Sequence, residues 1–351
     1  MSEETLKEEI KNIHDRTSRS DDSSLIASWE EKEFYEMEGK AVDVFSVIFR
    51  TTGCFWSHRS GCTMCGYYTD TNPHITQRDL DDQLDEALSL YEGQAVVKIY
   101  TSGSFLDDNE VPEDLALSAL DGFSEAGAEK VVVESRPGFV GQKKIRSYSD
   151  RVKELEVALG LESANDFILK NCINKGFAFE DYKKSVQEIS EEVSIRTYLL
   201  LKPPFLLEKE AVEDVIDSIE RIKGLTDIVS INPVNIQKGT LVEKLWKRDV
   251  YSPPWLWSII DVLSRSNQDD MSVVISEAAL GSKRGAHNCG DCDDELKDII
   301  RRYNLTQNES LLESVPDCEC RERWEKENQI ETSLFFRGSS EPLYSRYLGY
   351  E

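Results

Sequence analysis

The chain has 351 residues, 39% of them hydrophobic, and a formal net charge of −26 at pH 7. That length suits one large α/β unit with a small appendage, and the apolar share allows a sizeable core. The acidic balance excludes nucleic-acid binding by bulk charge, no run reaches the roughly 20 apolar residues of a membrane span, and Met1–Glu9 lacks the apolar stretch of a secretion signal, so a soluble, cytoplasmic protein is expected.

Residues 1–40 read as a polar lead-in, with Thr17–Ser24 a loop and Trp29–Met37 a short helix against the body. Val44–Arg50 reads as a strand, followed by a Gly/Cys-rich loop. Leu80, Leu84, Ala87, Leu88 and Tyr91 recur at helical spacing over 78–91. Ala95–Thr101 is a second strand, and Pro112 opens a helix to about Phe123. Strands follow at Lys130–Glu134, Leu155–Glu162, Ser194–Leu201, Asp227–Asn232 and Ser272–Ile275. Helices are expected near Glu180–Glu192, at Glu208–Ile222, Thr240–Lys247 and Pro254–Arg265.

Such alternation implies a parallel sheet with helical crossovers. The expected fold is α/β, a partial (β/α)6-type TIM barrel over residues 41–276, with a Cys-rich metal-binding module over 277–351 that ends in an aromatic tail, Leu343 to Tyr350. On barrels, chemistry gathers at the carboxyl ends of the strands. The unusual residues here follow strands: Cys54, Ser102-Gly103-Ser104, Glu134-Ser135-Arg136, Glu162 and Asn232.

Of eight cysteines, three lie directly after the first strand: Cys54, Cys62 and Cys65, with seven and two intervening residues. In a reducing cell such grouping argues for metal over disulfides. Three thiolates can hold three irons of a [4Fe-4S] cluster and leave the fourth open, where S-adenosylmethionine can chelate and be split to a radical. The alternative is a zinc site completed by His58 or His74.

The later strand-end residues carry a family resemblance. Ser102-Gly103-Ser104-Phe105, Glu134-Ser135-Arg136-Pro137, Gly160-Leu161-Glu162-Ser163 and Asn232-Pro233 with Lys238-Gly239-Thr240 occur in the right order after the cysteine loop. Together they resemble the radical SAM superfamily, in the branch that includes the catalytic subunit of Elongator. The first cysteine spacing is longer than the commonest one, the Gly-rich step has one glycine, and no acetyltransferase domain fits. The segments Gly-Cys-Phe-Trp, Gly-Cys-Thr-Met-Cys-Gly-Tyr-Tyr and His287-Asn-Cys-Gly-Asp-Cys292 more narrowly resemble the radical SAM subunit family of archaeosine synthase.

That resemblance implies an archaeal, lyase-type radical enzyme acting on tRNA with an external electron donor. A lysine-transferring partner subunit attaches lysine to 7-cyano-7-deazaguanine in the tRNA, and radical cleavage then leaves archaeosine. It implies cluster ligation by Cys54, Cys62 and Cys65, with Met64 near the adenine or merely packed. Ser102 and Gly103 receive the methionyl ammonium, and Arg136 pairs with the carboxylate. Glu134 meets the ammonium or ribose, unless Glu134 and Arg136 simply pair with each other; Glu162 is a further ribose or substrate candidate. His58 and Arg59 read as solvating the loop, and Cys172 as a buried small residue.

The second group, Cys289, Cys292, Cys318 and Cys320, offers four thiolates in two close pairs. We read it as structural zinc, with His287 a further candidate ligand and an auxiliary four-iron cluster the alternative. Basic residues for tRNA are sought at Lys143, Lys144 and Arg146, at Lys283 and Arg284, and at Arg321, Arg323 and Lys326.

Overall fold

Seven strands with apolar runs buried on both faces give the parallel sheet that such runs require. In the computed structural model, which describes residues 3–189, 191–266 and 271–329, the order is α1 (Glu3–Asp15), β1 (Ala27–Tyr35), β2 (Lys40–Ile48), α2 (Gln77–Leu90), β3 (Val96–Tyr100), α3 (Glu113–Glu125) and β4 (Lys130–Ser135). There follow α4 (Gln142–Ser149), β5 (Glu154–Glu162), a short α5 (Asp166–Ile168), α6 (Phe179–Ile189), β6 (Ser194–Leu201), α7 (Glu208–Ile222) and β7 (Ile228–Pro233). The chain continues through α8 (Leu241–Trp246), α9 (Leu256–Arg265), β8 (Ser272–Ile275), α10 (Asp293–Thr306) and α11 (Cys320–Gln329). The strands pair in sequence order in one eight-stranded sheet. The expected aromatic tail, Leu343 to Tyr350, lies outside the described residues.

Alternation along each strand divides the two faces. Phe45, Val47, Val97, Ile99, Val131, Val133, Val157, Val229 and Val273 join the helices in the main core. The other face turns into the barrel. Its apolar residues, Val44, Val96, Val132 and Ala158, stand in register beside charged ones, Lys130 next to Val96, Lys98 next to Val132 and Arg196 next to Ala158. Lys98 pairs with Glu31 at 2.9 Å and with Glu33, Lys130 with Glu154 at 3.0 Å and Glu156 at 2.6 Å, and Arg196 with Glu33 and Glu156.

This network explains the segment read as a helix. Residues 27–35 form β1, antiparallel to β2, and supply Glu31 and Glu33 to the interior cations. A strand that faces charge shows no apolar alternation, so the sequence pattern of 27–35 does not read as a strand. The pairs also fix its register, since a one-residue slip would turn both carboxylates away from Lys98 and Arg196.

The sheet does not close on itself. Instead α10 lies against β8 at one edge and against β1 and β2 at the other, so the sheet curls until one helix spans the gap. At the β8 edge the Asn304 amide copies a neighbouring strand: its Nδ2 donates to the Ile275 carbonyl at 2.9 Å and its Oδ1 accepts from the Ile275 N–H at 2.9 Å. That satisfies backbone groups an edge strand leaves unpaired. The region read as polar loops therefore contains two helices, α10 and α11. No described helix is long and apolar enough to cross a membrane.

Candidate active site and metal centre

The loop after β2 is pinned on three sides. Toward β3, the Thr51 hydroxyl donates to Glu110 at 2.7 Å. Toward the turn that follows α5, the Trp56 indole donates to the Asn174 carbonyl at 2.6 Å, Asn174 donates to Gly61 O at 2.6 Å and Ser60 at 2.8 Å, and Thr63 donates to the Cys172 carbonyl at 2.7 Å. Toward β7, the Gly66 N–H meets Gln237 at 2.6 Å and the Tyr68 hydroxyl meets the Gly239 carbonyl at 2.8 Å. Three segments thus fix the loop from which Cys54, Cys62 and Cys65 project.

The three thiols are half-buried. Burial pushes Cys65 up to about 12, helped by Cys62 and Cys54. Burial also raises Cys62, against the pull of Lys175 and Arg136. Neutral thiols in such surroundings become good ligands when a metal replaces their protons. Neither His58 nor His74 completes a compact set with them: among the described residues, the group whose ligand atoms all lie within 4.8 Å is the second cysteine group.

The turn after β3 packs directly on this loop. A methyl on Gly103 would stand 2.5 Å from Cys54 Cα and 2.2 Å from Glu110 Oε2, so only glycine fits. Glu110 is 2% exposed. It accepts from Thr51 with one oxygen and from the Ser104 N–H at 2.7 Å with the other, which ties the cysteine loop to the Ser-Gly-Ser turn. Sequence reasoning missed this residue. Nothing local distinguishes one acid in Asp107–Glu110 among 67 acids.

The remaining strand-end residues separate into distinct settings. Glu134 faces the interior beside Tyr198; burial pushes its carboxyl up to about 7. No ion pair joins it to Arg136. Arg136 instead donates to the Lys175 carbonyl at 2.6 Å and lies 5.7 Å from the Trp56 ring and 5.2 Å from Phe177. Glu162 holds a buried salt bridge of 2.6 Å with Lys175. It sits at a β-bulge with φ of +77°, a backbone strain of about 1–3 kcal/mol that surrounding structure must hold. Gly160 makes room for that pair: a methyl there would stand 2.9 Å from Glu162 Oε1 and 3.1 Å from Lys175 Nζ. Lys175 is a second residue the sequence did not reveal, since it comes from a turn between helices. Met64 is half-buried against the core, and Cys172 is fully buried. Ser102 is also buried, with its neighbour Gly103 in the turn.

The second cysteine group gathers tightly. Sγ atoms of Cys289 and Cys318 are 3.6 Å apart, as are those of Cys292 and Cys320, and all four lie within 4.8 Å of one another. Tetrahedral zinc with Zn–S of about 2.3 Å places sulfurs about 3.8 Å apart. The Trp257 indole N–H points at Cys320 Sγ at 3.2 Å and the Asn288 amide at Cys292 Sγ at 3.3 Å; such donors steady a charged thiolate set. His287 is outside this group and its Nδ1 meets the Gly285 carbonyl at 2.8 Å. The group joins the start of α10 and the start of α11 to α9.

Most of the basic residues proposed for RNA are already paired. Lys144 pairs with Asp108, Arg146 with Glu192, Arg284 with Glu243, Arg321 with Glu325 and Lys326 with Glu322. Arg323 lies 5.7 Å from the Trp255 ring.

No protein-family model matches the chain. The archaeosine synthase subunit beta of Methanosarcina acetivorans is 40% identical over 314 residues, which cover 87% of this chain and 90% of that one. Its namesake from Thermococcus kodakarensis is 38% identical over 302 residues, 82% and 92% of the two chains. Among solved structures, methylornithine synthase matches over 93% of this chain and 91% of its own, at 13% identity and a TM-score of 0.47.

Proposed function

The chain belongs to the archaeosine synthase subunit beta family, and on that premise we propose that it is the radical SAM enzyme of archaeosine formation in tRNA. Its substrate is the lysine adduct of 7-cyano-7-deazaguanine made by a lysine-transferring partner subunit, and its action removes the lysine chain and leaves the amidine. The observation that carries this reading is the contact of Gly103 with Cys54, which brings a three-thiol loop and a Ser-Gly-Ser turn together at the carboxyl ends of β2 and β3.

Cys54, Cys62 and Cys65 would hold a [4Fe-4S] cluster, and the close packing of Gly103 on Cys54, which sets the Ser-Gly-Ser turn beside the ligand loop, supports that fit. When bound, the cluster supplies one-electron cleavage of S-adenosylmethionine, with the electron from an external donor. Ser102 and Gly103 offer backbone acceptors to the methionyl ammonium. Glu110 holds their turn against the cysteine loop. Arg136, cradled by Trp56 and Phe177, offers a guanidinium to a carboxylate. Glu134 and Glu162 line the interior beneath, where polar groups of ribose or substrate are held, and Met64 packs beside the ligand loop. Cys289, Cys292, Cys318 and Cys320 would hold a structural zinc, because their spacing suits one ion better than a cluster whose irons stand at separate corners. Residues 27–276, β1 included, then form the catalytic barrel and 277–329 its metal-braced closure, in the cytoplasm.

The test is anaerobic turnover. Protein carrying about four irons is incubated with S-adenosylmethionine, a reductant and lysine-bearing tRNA. Formation of 5′-deoxyadenosine together with archaeosine is expected. Cluster-loaded protein that yields neither would overturn the reading.

A further inference from the structure

We propose that Arg19, Phe55 and Arg59 form an RNA-binding rim at the barrel mouth, on which a nucleobase stacks and the flanking phosphates are held. The proposal rests on the reading above that the reacting base belongs to an RNA.

Charge pairing singles these residues out. With 67 acids to 41 bases, a cation in this chain readily finds a carboxylate, as the paired clusters on the outer surface show. Among the described residues, neither Arg19 nor Arg59 makes an ion pair. The Arg59 guanidinium lies 4.2 Å over the Phe55 ring. Arg19 lies 6.0 Å from the Tyr68 ring and 3.3 Å from His58 Nδ1. His58 Nε2 is 3.1 Å from the Thr52 carbonyl, so that nitrogen carries the ring hydrogen and Nδ1 accepts from Arg19. No carboxylate among the described residues offsets the Arg19 charge.

Phe55 supplies the second half. It is a large apolar side chain left 38% exposed, and Phe139 braces it edge-on at 5.8 Å and 86°. Aromatic rings and guanidinium planes are the two surfaces on which unpaired bases stack. Here one lies over the other, and a further arginine, Arg19 from the segment between α1 and β1, reaches the same loop through His58. Phe55 also adjoins Cys54. The rim therefore borders the cysteine loop, and the reacting nucleotide or its neighbour is the occupant that fits. An acidic protein would use the arginines but has no use for the exposed ring.

The test is tRNA affinity by fluorescence anisotropy across a salt series, on cluster-loaded protein. Variants are Phe55→Leu, Arg59→Gln, Arg59→Lys and Arg19→Gln, each checked for wild-type iron content and melting temperature. Phe55→Leu should weaken binding by about tenfold, in the range of one lost base stack, with the salt slope unchanged. Arg19→Gln should lower the slope of log affinity against log salt by about one. Arg59→Lys should keep the slope yet lose affinity, because an ammonium cannot stack as a guanidinium does. Wild-type affinity and slope in all four would overturn the proposal, as would a wild-type chain that holds no tRNA, or variants that lose only the partner subunit. Wild-type turnover with unaltered variant binding sinks the rim alone. Weakened variant binding beside a wild type that makes no archaeosine leaves the rim standing and sinks the catalytic reading.

Discussion

Gly103 and Cys54 touch so closely that a methyl on the glycine would stand 2.5 Å from the cysteine Cα. Two loops from neighbouring strands, β2 and β3, therefore share one position, and Glu110 bonds to both. Gly103→Ala must push the backbone of the ligand loop aside. It is expected to destabilise the fold by about 1–3 kcal/mol, as overpacking does, and to cut iron and sulfide per chain well below wild type. Normal iron content in Gly103→Ala would show that the two loops can part without losing the ligand geometry.

The Glu162–Lys175 pair offers a stability test. Both side chains are nearly buried, at 11% and 8% exposure. Lys175→Met leaves Glu162 without its cation and should cost about 3–5 kcal/mol. Removing both charges with Glu162→Gln and Lys175→Met should cost less than the single change, since the uncompensated carboxylate is gone. Urea unfolding of the three proteins measures this, and an equal or larger loss in the double variant would contradict it.

Glu134 sets a pH dependence. Burial raises its folded-state carboxyl from 4.5 to about 7. The folded chain keeps that proton after the unfolded chain has lost it, so its share of stability is full below about 4.5 and declines as pH rises to 7. The slope is at most about 1.4 kcal/mol per pH unit. Glu110 and Asp214, also raised by burial to about 7, add slopes of the same sign. Glu134→Gln should flatten unfolding free energy between pH 5 and 7 by one carboxylate's share, leaving the rest. An unchanged slope would place the Glu134 titration at its ordinary value.

The second cysteine group predicts a separable metal. Cys320→Ala should remove one zinc per chain while leaving iron unchanged, and should lower the melting temperature, because α11 loses its anchor to α9 through Trp257 and Cys320. Metal analysis beside limited proteolysis checks both parts, with new cleavage expected at the start of α11. Loss of iron in step with zinc would tie the two centres together.

The barrel strands were legible because burial on both faces writes apolar runs into the chain, as in Val131–Val133. The helices α2 and α7 were legible because one face of each is buried. The cysteines announced metal chemistry because ligand sulfurs from one loop must be close in sequence. Strand β1 was not legible: its inward residues are Glu31 and Glu33, and only Lys98 and Arg196, distant in sequence, make those acids interior residues.

The same reason divides the site. The sequence by itself determined the alternating elements, the two cysteine groups and the strand-end motifs, because each depends on neighbours along the chain. Tertiary structure alone decided that Glu110 joins two loops, that Lys175 pairs with Glu162 while Arg136 does not pair with Glu134, that α10 closes the sheet and that Arg59 lies over Phe55. Each of these is a contact or a charge balance between separate segments, and the energy of a buried acid or an unpaired arginine depends on what folding places beside it.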